Sequence, residues 1–349
     1  MTSRLVIAAL SAALVLVPAT TRAQAGRALP RVEEPTTVKL GWTLGSLTLA
    51  GVYVAIEKGY FRDANLTVEF VTVDNINALI APISTGQIDI ATGGPSAGFF
   101  NSIARGVGLK IVADQNTARP GMSSIALMVR KDLIDGGQVK DYADLRGKTI
   151  AVVSKRATME LDVLKALSLG GLTKNDVNLI NLPFPQMNAA FGSKAIDAAL
   201  QIEPLVSAAV AGNLAVRWKG VDEITPNRQN SFFVFSEQFA ARRDVARAYM
   251  VAYLRGVRDY YDGIHKGRGN REEIIGILMK RTLVKDRKVY DRMVLPAIDP
   301  NGELNVASIK EALDQFTADG DVKARIDLGR IVDQSFVRYA QDVLGRYEK

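Results

Sequence analysis

The chain has 349 residues, 48% of them hydrophobic and 23% charged, with no cysteine and a formal net charge of +7. That length holds one large domain or two medium ones with proper cores, and the missing cysteine excludes a disulfide framework and a thiol nucleophile. The Lys and Arg residues are scattered, which suits anionic solutes or a membrane surface. Nucleic-acid binding is disfavoured, because no basic helix and no basic–aromatic sheet pattern occurs.

The N-terminus reads as a signal peptide over 1–25. Arg4 gives a basic start, 5–17 is an apolar run too short to span a bilayer comfortably, and Ala23-Gln24-Ala25 is a small-x-small cleavage site. Cleavage before Gly26 removes Arg4 and Arg22 and leaves 42 basic against 37 acidic residues, a net +5. No cysteine stands at the cleavage site to carry a lipid. The expectation is an exported, untethered protein of a bacterial periplasm, with 26–36 as a flexible lead-in.

Residues 37–42 form the first expected strand, followed by a helical pattern over 47–58 that stops at Gly59. A strand over 66–73 precedes a helix capped by Asp74, with Ile76, Leu79, Ile80 and Ile83 at helical spacing. Ile88, Ile90 and Ala91 supply a short buried strand that runs into Gly93-Gly94-Pro95-Ser96, with Pro95 fitting a first helical position. After a helix, 109–113 is a further strand. The pattern then restarts with strands at 125–130, 149–153, 177–182, 195–201 and 214–218, separated by helices. A strand at 231–235 could return to the first lobe, and only helical patterns follow, over 237–262, 272–282, 287–295, 305–318 (Asn305 a cap) and 329–345. Alternation of this kind implies largely parallel sheets covered by helices, with ligands held beyond the carboxyl ends of the strands.

Enzyme machinery is scarce. The single histidine, His265, sits in a polar loop and reads as solvated; there is no nucleophile elbow and no metal cluster. Candidate ligand contacts instead fall at strand ends. Trp42 either stacks on a flat ligand or packs in the core. Gly94, Pro95 and Ser96 offer backbone amides and a hydroxyl at a helix start. Arg119 is either a clamp for a carboxylate or sulfonate or a solvated loop arginine. Ser154, Lys155, Arg156 and Thr158 open a second-lobe helix, and Phe184 and Glu203 end the next two second-lobe strands. Glu203 either favours the helix dipole or accepts from an amine or ring N–H.

Three segments, Ala55-Ile56-Glu57-Lys58-Gly59-Tyr60-Phe61, Gly86-Gln87-Ile88-Asp89-Ile90-Ala91 and Ile202-Glu203-Pro204, resemble the NMT1/THI5-like solute-binding proteins. These are relatives of the nitrate-, alkanesulfonate-, taurine- and thiamine-precursor-binding components of ABC transporters. The resemblance implies a type II periplasmic-binding fold: two α/β lobes joined by two crossing strands, with a helical C-terminal tail. On that pattern lobe 1 is 37–124 plus 232–349 and lobe 2 is 125–231. It further implies ligand contacts at Trp42, at Gly94 to Ser96 and at the loop from Ser154 to Thr158. There the family more commonly has Gly-Ser/Thr where this chain has Arg156-Ala157-Thr158. The expected function is capture of a small organic anion, sulfonate- or carboxylate-like, by a monomer without cofactor that delivers it to permease and ATPase subunits. The alternative is a fold-sharing enzyme acting on a small carboxylated or pyrimidine-type ring.

Overall fold

A computed structural model describes residues 28–43, 47–73 and 76–348, apart from the side chains at 43, 73, 76 and 77. The leader read at 1–25 and the cap expected at Asp74 lie outside the described residues. The chain forms two five-stranded sheets. The first has the order β2-β1-β3-β10-β4, from strands Thr36–Thr43 (β1), Leu66–Val73 (β2), Ile90–Gly93 (β3), Leu109–Thr117 (β4) and Gln229–Ser236 (β10). The second has the order β7-β6-β8-β5-β9, from Ile125–Arg130 (β5), Thr149–Val152 (β6), Asn178–Asn181 (β7), Ala198–Ile202 (β8) and Ala215–Gly220 (β9).

Each sheet is parallel except for one strand. β10 runs antiparallel to both β3 and β4, and β5 runs antiparallel to β8 and β9. The strands near the sheet centres are continuous apolar runs: Phe232, Phe233, Val234 and Phe235 are all buried, as are residues 125–129. That is the signature of strands covered by helices on both faces. The architecture is a type II periplasmic-binding-protein fold.

Helix against helix, the core of the first half is tight. Gly256, in the long helix Arg243–Tyr261, lies against the backbone of Ala50–Glu57 so closely that a Cβ there would stand 2.7 Å from the Ala55 nitrogen. Only glycine permits that approach.

Several expected elements change shape. Of the lead-in, residues 28–36 are described and tied down at Val32, which is buried and donates its N–H to the Ala64 carbonyl at 3.1 Å. The helix expected over 237–262 breaks at Arg242 into Glu237–Ala241 and Arg243–Tyr261, followed by a π-helical turn, Asp262–Lys266. The helix expected over 329–345 also splits, into Leu328–Ile331 and Ser335–Leu344. Its middle covers an exposed strand edge: Val332 bridges to Ile111 of β4, and Asp333 N–H donates to the Ile111 carbonyl at 2.9 Å. Asn305 caps Val306–Ala318 as expected, accepting from Ser308 N–H.

His265 is half-buried rather than solvated. It lies in the π-helical turn, between the rings of Tyr260 and Tyr261, with Nε2 3.1 Å from the Pro296 carbonyl. A carbonyl only accepts, so Nε2 carries the hydrogen.

The chain passes between the sheets twice, through 118–124 and 221–228. These crossings are bonded to each other: Ala118 N–H donates to Arg228 O at 2.9 Å, and Asn227 N–H to Ala118 O at 2.8 Å.

Candidate functional site

In sheets of this kind the useful edge is where the parallel strands end. On the first sheet that edge carries Trp42 from β1, Gly93 from β3, and Asn116 and Thr117 from β4. Because β10 is antiparallel, its first residues reach the same edge, with Ser231 opposite Asn116 and Phe232 opposite Gly93.

This edge is rich in buried polar atoms without a partner among the described residues. They are Trp42 Nε1, Asn116 Oδ1, Asn230 Nδ2 and Ser231 Oγ. Buried N–H and C=O groups are paired in the great majority of cases, so a row of orphans calls for a ligand or water. Trp42 itself is 6% exposed and packs on Phe70 and Tyr53, with ring centroids 5.3 and 6.1 Å away. The ring is therefore packed in the core, and its indole N–H is the part left without a partner among the described residues.

The two jaws expected at Gly94 to Ser96 and at Ser154 to Thr158 meet directly. Ser96 and Ala157 form an antiparallel bridge, in which Ala97 N–H donates to Arg156 O at 2.9 Å and Thr158 N–H to Pro95 O at 3.2 Å. The helix after β3 begins at Ala97, so Pro95 precedes the cap instead of taking the first helical position. Ser96 is the cap, and its Oγ accepts from Phe99 N–H at 3.1 Å. Both the hydroxyl and the Ala97 amide are thus already bonded within the protein. Gly94 allows a further close approach, to the Asn230 main chain of its own half and the Thr158 side chain of the other. A Cβ there would overlap the Asn230 carbonyl oxygen and stand 3.6 Å from Thr158 Oγ1.

Two of the three expected basic charge selectors have acidic partners of their own. Arg119 is ion-paired with the buried carboxylate of Asp299. Arg156 pairs with Asp321, 3.0 Å from Nε to Oδ1. Lys155 is exposed, and Ser154 Oγ turns back onto the Lys155 carbonyl at 3.2 Å.

Phe184 starts the helix Phe184–Gly192 and packs on the second-half core, while its carbonyl accepts from Gln201 Nε2 at 3.0 Å. Glu203 is buried, one residue before the cap (Pro204) of the helix Leu205–Ala211, and its carboxylate folds onto that helix's first turn. Its carboxylate accepts from Ser207 N–H and Ser207 Oγ, each at 3.0 Å, and from Val294 N–H at 3.3 Å. Burial pushes its pKa up, against the pull of those donors.

Asn116, Asn230 and Ser231 are candidate contacts, buried and unpartnered, that sequence reasoning does not single out. A signal for them exists: the polar run Gln229-Asn230-Ser231 directly precedes four buried apolar residues, and Gln115-Asn116-Thr117 directly follows another buried run. Among the described residues no group of three or more His, Asp or Glu is placed to hold a metal ion.

The fold is that of a two-lobed periplasmic-binding-type protein whose halves meet at Pro95–Ala97 and Arg156–Thr158. Residues 47–262 match the family model described as NMT1/THI5 like, and the chain belongs to that family. A protein named as a binding protein in Brucella abortus (strain 2308) is 25% identical over 288 residues, covering 78% of this chain and 83% of that one. A protein named as an ABC transporter periplasmic binding protein in Brachyspira hyodysenteriae is 31% identical over 114 residues, about a third of each chain (33% and 32%). The alkanesulfonate-binding protein SsuA from Xanthomonas axonopodis pv. citri, solved bound to MOPS, superposes with a TM-score of 0.68 at 18% identity. That match covers 86% of this chain and 99% of that one.

Proposed function

We propose that this chain is the solute-capturing component of an ABC importer in a bacterial periplasm. Its two lobes, 37–124 plus 232–349 and 125–231, close on one small molecule and present it to a permease; it performs no chemistry on that molecule. The solute is a small organic compound with an oxyanion head, sulfonate- or carboxylate-like, as the likeness to an alkanesulfonate-binding protein suggests.

The observation that carries this reading is the set of buried, unpartnered groups Trp42 Nε1, Asn230 Nδ2 and Ser231 Oγ along the sheet edge that faces the second half. Hydrogen bonds from neutral donors to an ionised acceptor contribute about 1.5–3 kcal/mol each. Three of them approach the roughly −8 kcal/mol that a micromolar binder needs. With Arg119 and Arg156 paired to Asp299 and Asp321, anion selection rests on these N–H and O–H groups.

The test is a thermal-shift screen of the mature protein against sulfonates, carboxylates, nitrate and uncharged analogues, followed by calorimetry on the hits. A sulfonate or carboxylate should raise the melting temperature. Trp42→Phe, which keeps an aromatic ring and removes the N–H, should weaken that compound about 10- to 150-fold. Stabilisation by uncharged or cationic compounds alone overturns the anion reading. Turnover of a hit beyond one equivalent overturns the binder reading.

A further inference from the structure

Arg156 occupies a left-handed backbone conformation, φ +59°, that costs an arginine more than it would cost a glycine. Strained residues persist where the surrounding structure fixes them, and they cluster at switches and ligand clamps. Three bonds fix this one. Its N–H donates to the Glu160 carboxylate, its carbonyl accepts from Ala97 N–H across the cleft, and its guanidinium pairs with Asp321 on the far side.

Asp321 is equally placed. It follows the helix Val306–Ala318, with its N–H bonded to Phe316 O at 2.9 Å and its carbonyl accepting from Asn101 Nδ2 at 2.8 Å. Asn101 belongs to the helix Ala97–Ala104, whose first amide receives Arg156 O. One helix of the first half therefore holds both the main-chain and the side-chain partner of Arg156. The ion pair is partly open to solvent, with Arg156 70% and Asp321 23% exposed, so salt reaches it.

We infer that the Arg156–Asp321 pair, together with the Ser96–Ala157 bridge, is a latch that sets how often the two lobes close before any solute arrives. The inference rests on the two-lobe reading above and gives Arg156 a regulatory role in place of ligand contact. An exposed pair biases the open–closed equilibrium by about 2- to 5-fold. Apparent solute affinity falls in proportion to the closed fraction, because only that state is complete.

The native chain has no cysteine, so paired spin labels can be placed at Glu69→Cys and Lys174→Cys, both exposed and on opposite sheets' halves. Interlobe distances are then measured by electron–electron resonance without solute. Arg156→Gln and Asp321→Asn should each shift the population towards the longer separation about 2- to 5-fold. High salt should do the same to the parent and add nothing to the variants. The swap Arg156→Asp with Asp321→Arg should recover part of the closed population. A distance distribution indifferent to both variants and to salt overturns the latch, even where Arg156→Gln weakens solute binding. A responsive distribution in a protein that no solute stabilises leaves the latch standing and removes the solute-binding reading.

Discussion

Arg228 and Asp162 form an ion pair sealed from water, with Nε 2.9 Å from Oδ1 and side chains 4% and 0% exposed. Arg228 lies in the second crossing between the sheets, and Asp162 in the second-half helix Thr158–Leu169. Arg228 Nη1 also approaches Glu311 of the first half at 3.7 Å. One guanidinium thus touches the hinge, one lobe and the other. Burial pushes the Asp162 pKa up, and the Arg228 charge opposes it.

Removing one partner of such a pair strands a buried charge. Arg228→Ala should destabilise the protein by about 3–5 kcal/mol, read from urea denaturation, whereas Arg228→Met with Asp162→Leu should lie within about 2 kcal/mol of the parent. A cost below about 1 kcal/mol for Arg228→Ala would show that the pair is solvated in solution.

Gly94 reads from the sequence as a ligand contact, but the structure gives it a packing reason too. Its φ is not in the left-handed region, so conformational freedom is not what the site requires. A methyl group at this position meets the backbone oxygen of Asn230, which cannot rotate away. Gly94→Ala should therefore push β3 and β10 apart at their shared edge, costing about 1–3 kcal/mol. It should also disturb the Asn230 amide to which the proposed function assigns solute recognition. Unchanged stability together with unchanged solute affinity would exclude that close approach.

Much of the fold is legible in the sequence because strand and helix periodicity survive wherever one element packs locally. Apolar runs such as 125–130 and 231–235 announce buried strands, and Asn305 announces a helix start. What periodicity cannot show is long-range pairing. Nothing local to Arg119 reveals Asp299, and nothing local to Arg156 reveals Asp321 across the cleft. The same holds for His265, whose polar neighbours suggest solvent while Pro296, Tyr260 and Tyr261 enclose it. Of the residues chosen for positive charge, Arg119 and Arg156 are neutralised by distant carboxylates, while Lys155 stays exposed. The neutral residues at the sheet edge, Asn116, Asn230 and Ser231, escape a reading of the sequence because their orphaned atoms emerge only once burial is known.

Two titratable groups, one fully and one half buried, give stability opposite dependences on pH. Asp114, fully buried in β4, has its pKa raised to about 6, chiefly by burial and further by the Asp299 carboxylate. Hydrogen bonds from Asp299 N–H (2.7 Å), Gln229 Nε2 (2.6 Å) and Thr117 Oγ1 (2.9 Å) pull the other way. An unfolded aspartate titrates near 3.9. Between these values the folded state holds a proton that the unfolded state has lost, so this contribution is complete below about pH 4 and is lost as pH rises through 6. The gap between the folded and unfolded values corresponds to about 3 kcal/mol. His265 works the other way. Burial lowers its pKa, and the Arg119 and Arg271 charges lower it further. Its contribution is therefore present above its unfolded value of about 6.5 and fades as pH falls. Because the two slopes overlap, the parent's stability curve alone is ambiguous, and the difference between parent and variant isolates each group. The stability of the parent minus that of Asp114→Asn should decline by about 2–3 kcal/mol from pH 4 to pH 6. The same difference taken with His265→Gln should rise towards pH 6.5. A flat difference for Asp114→Asn would mean that the three donors outweigh burial and that Asp114 is ionised throughout this range.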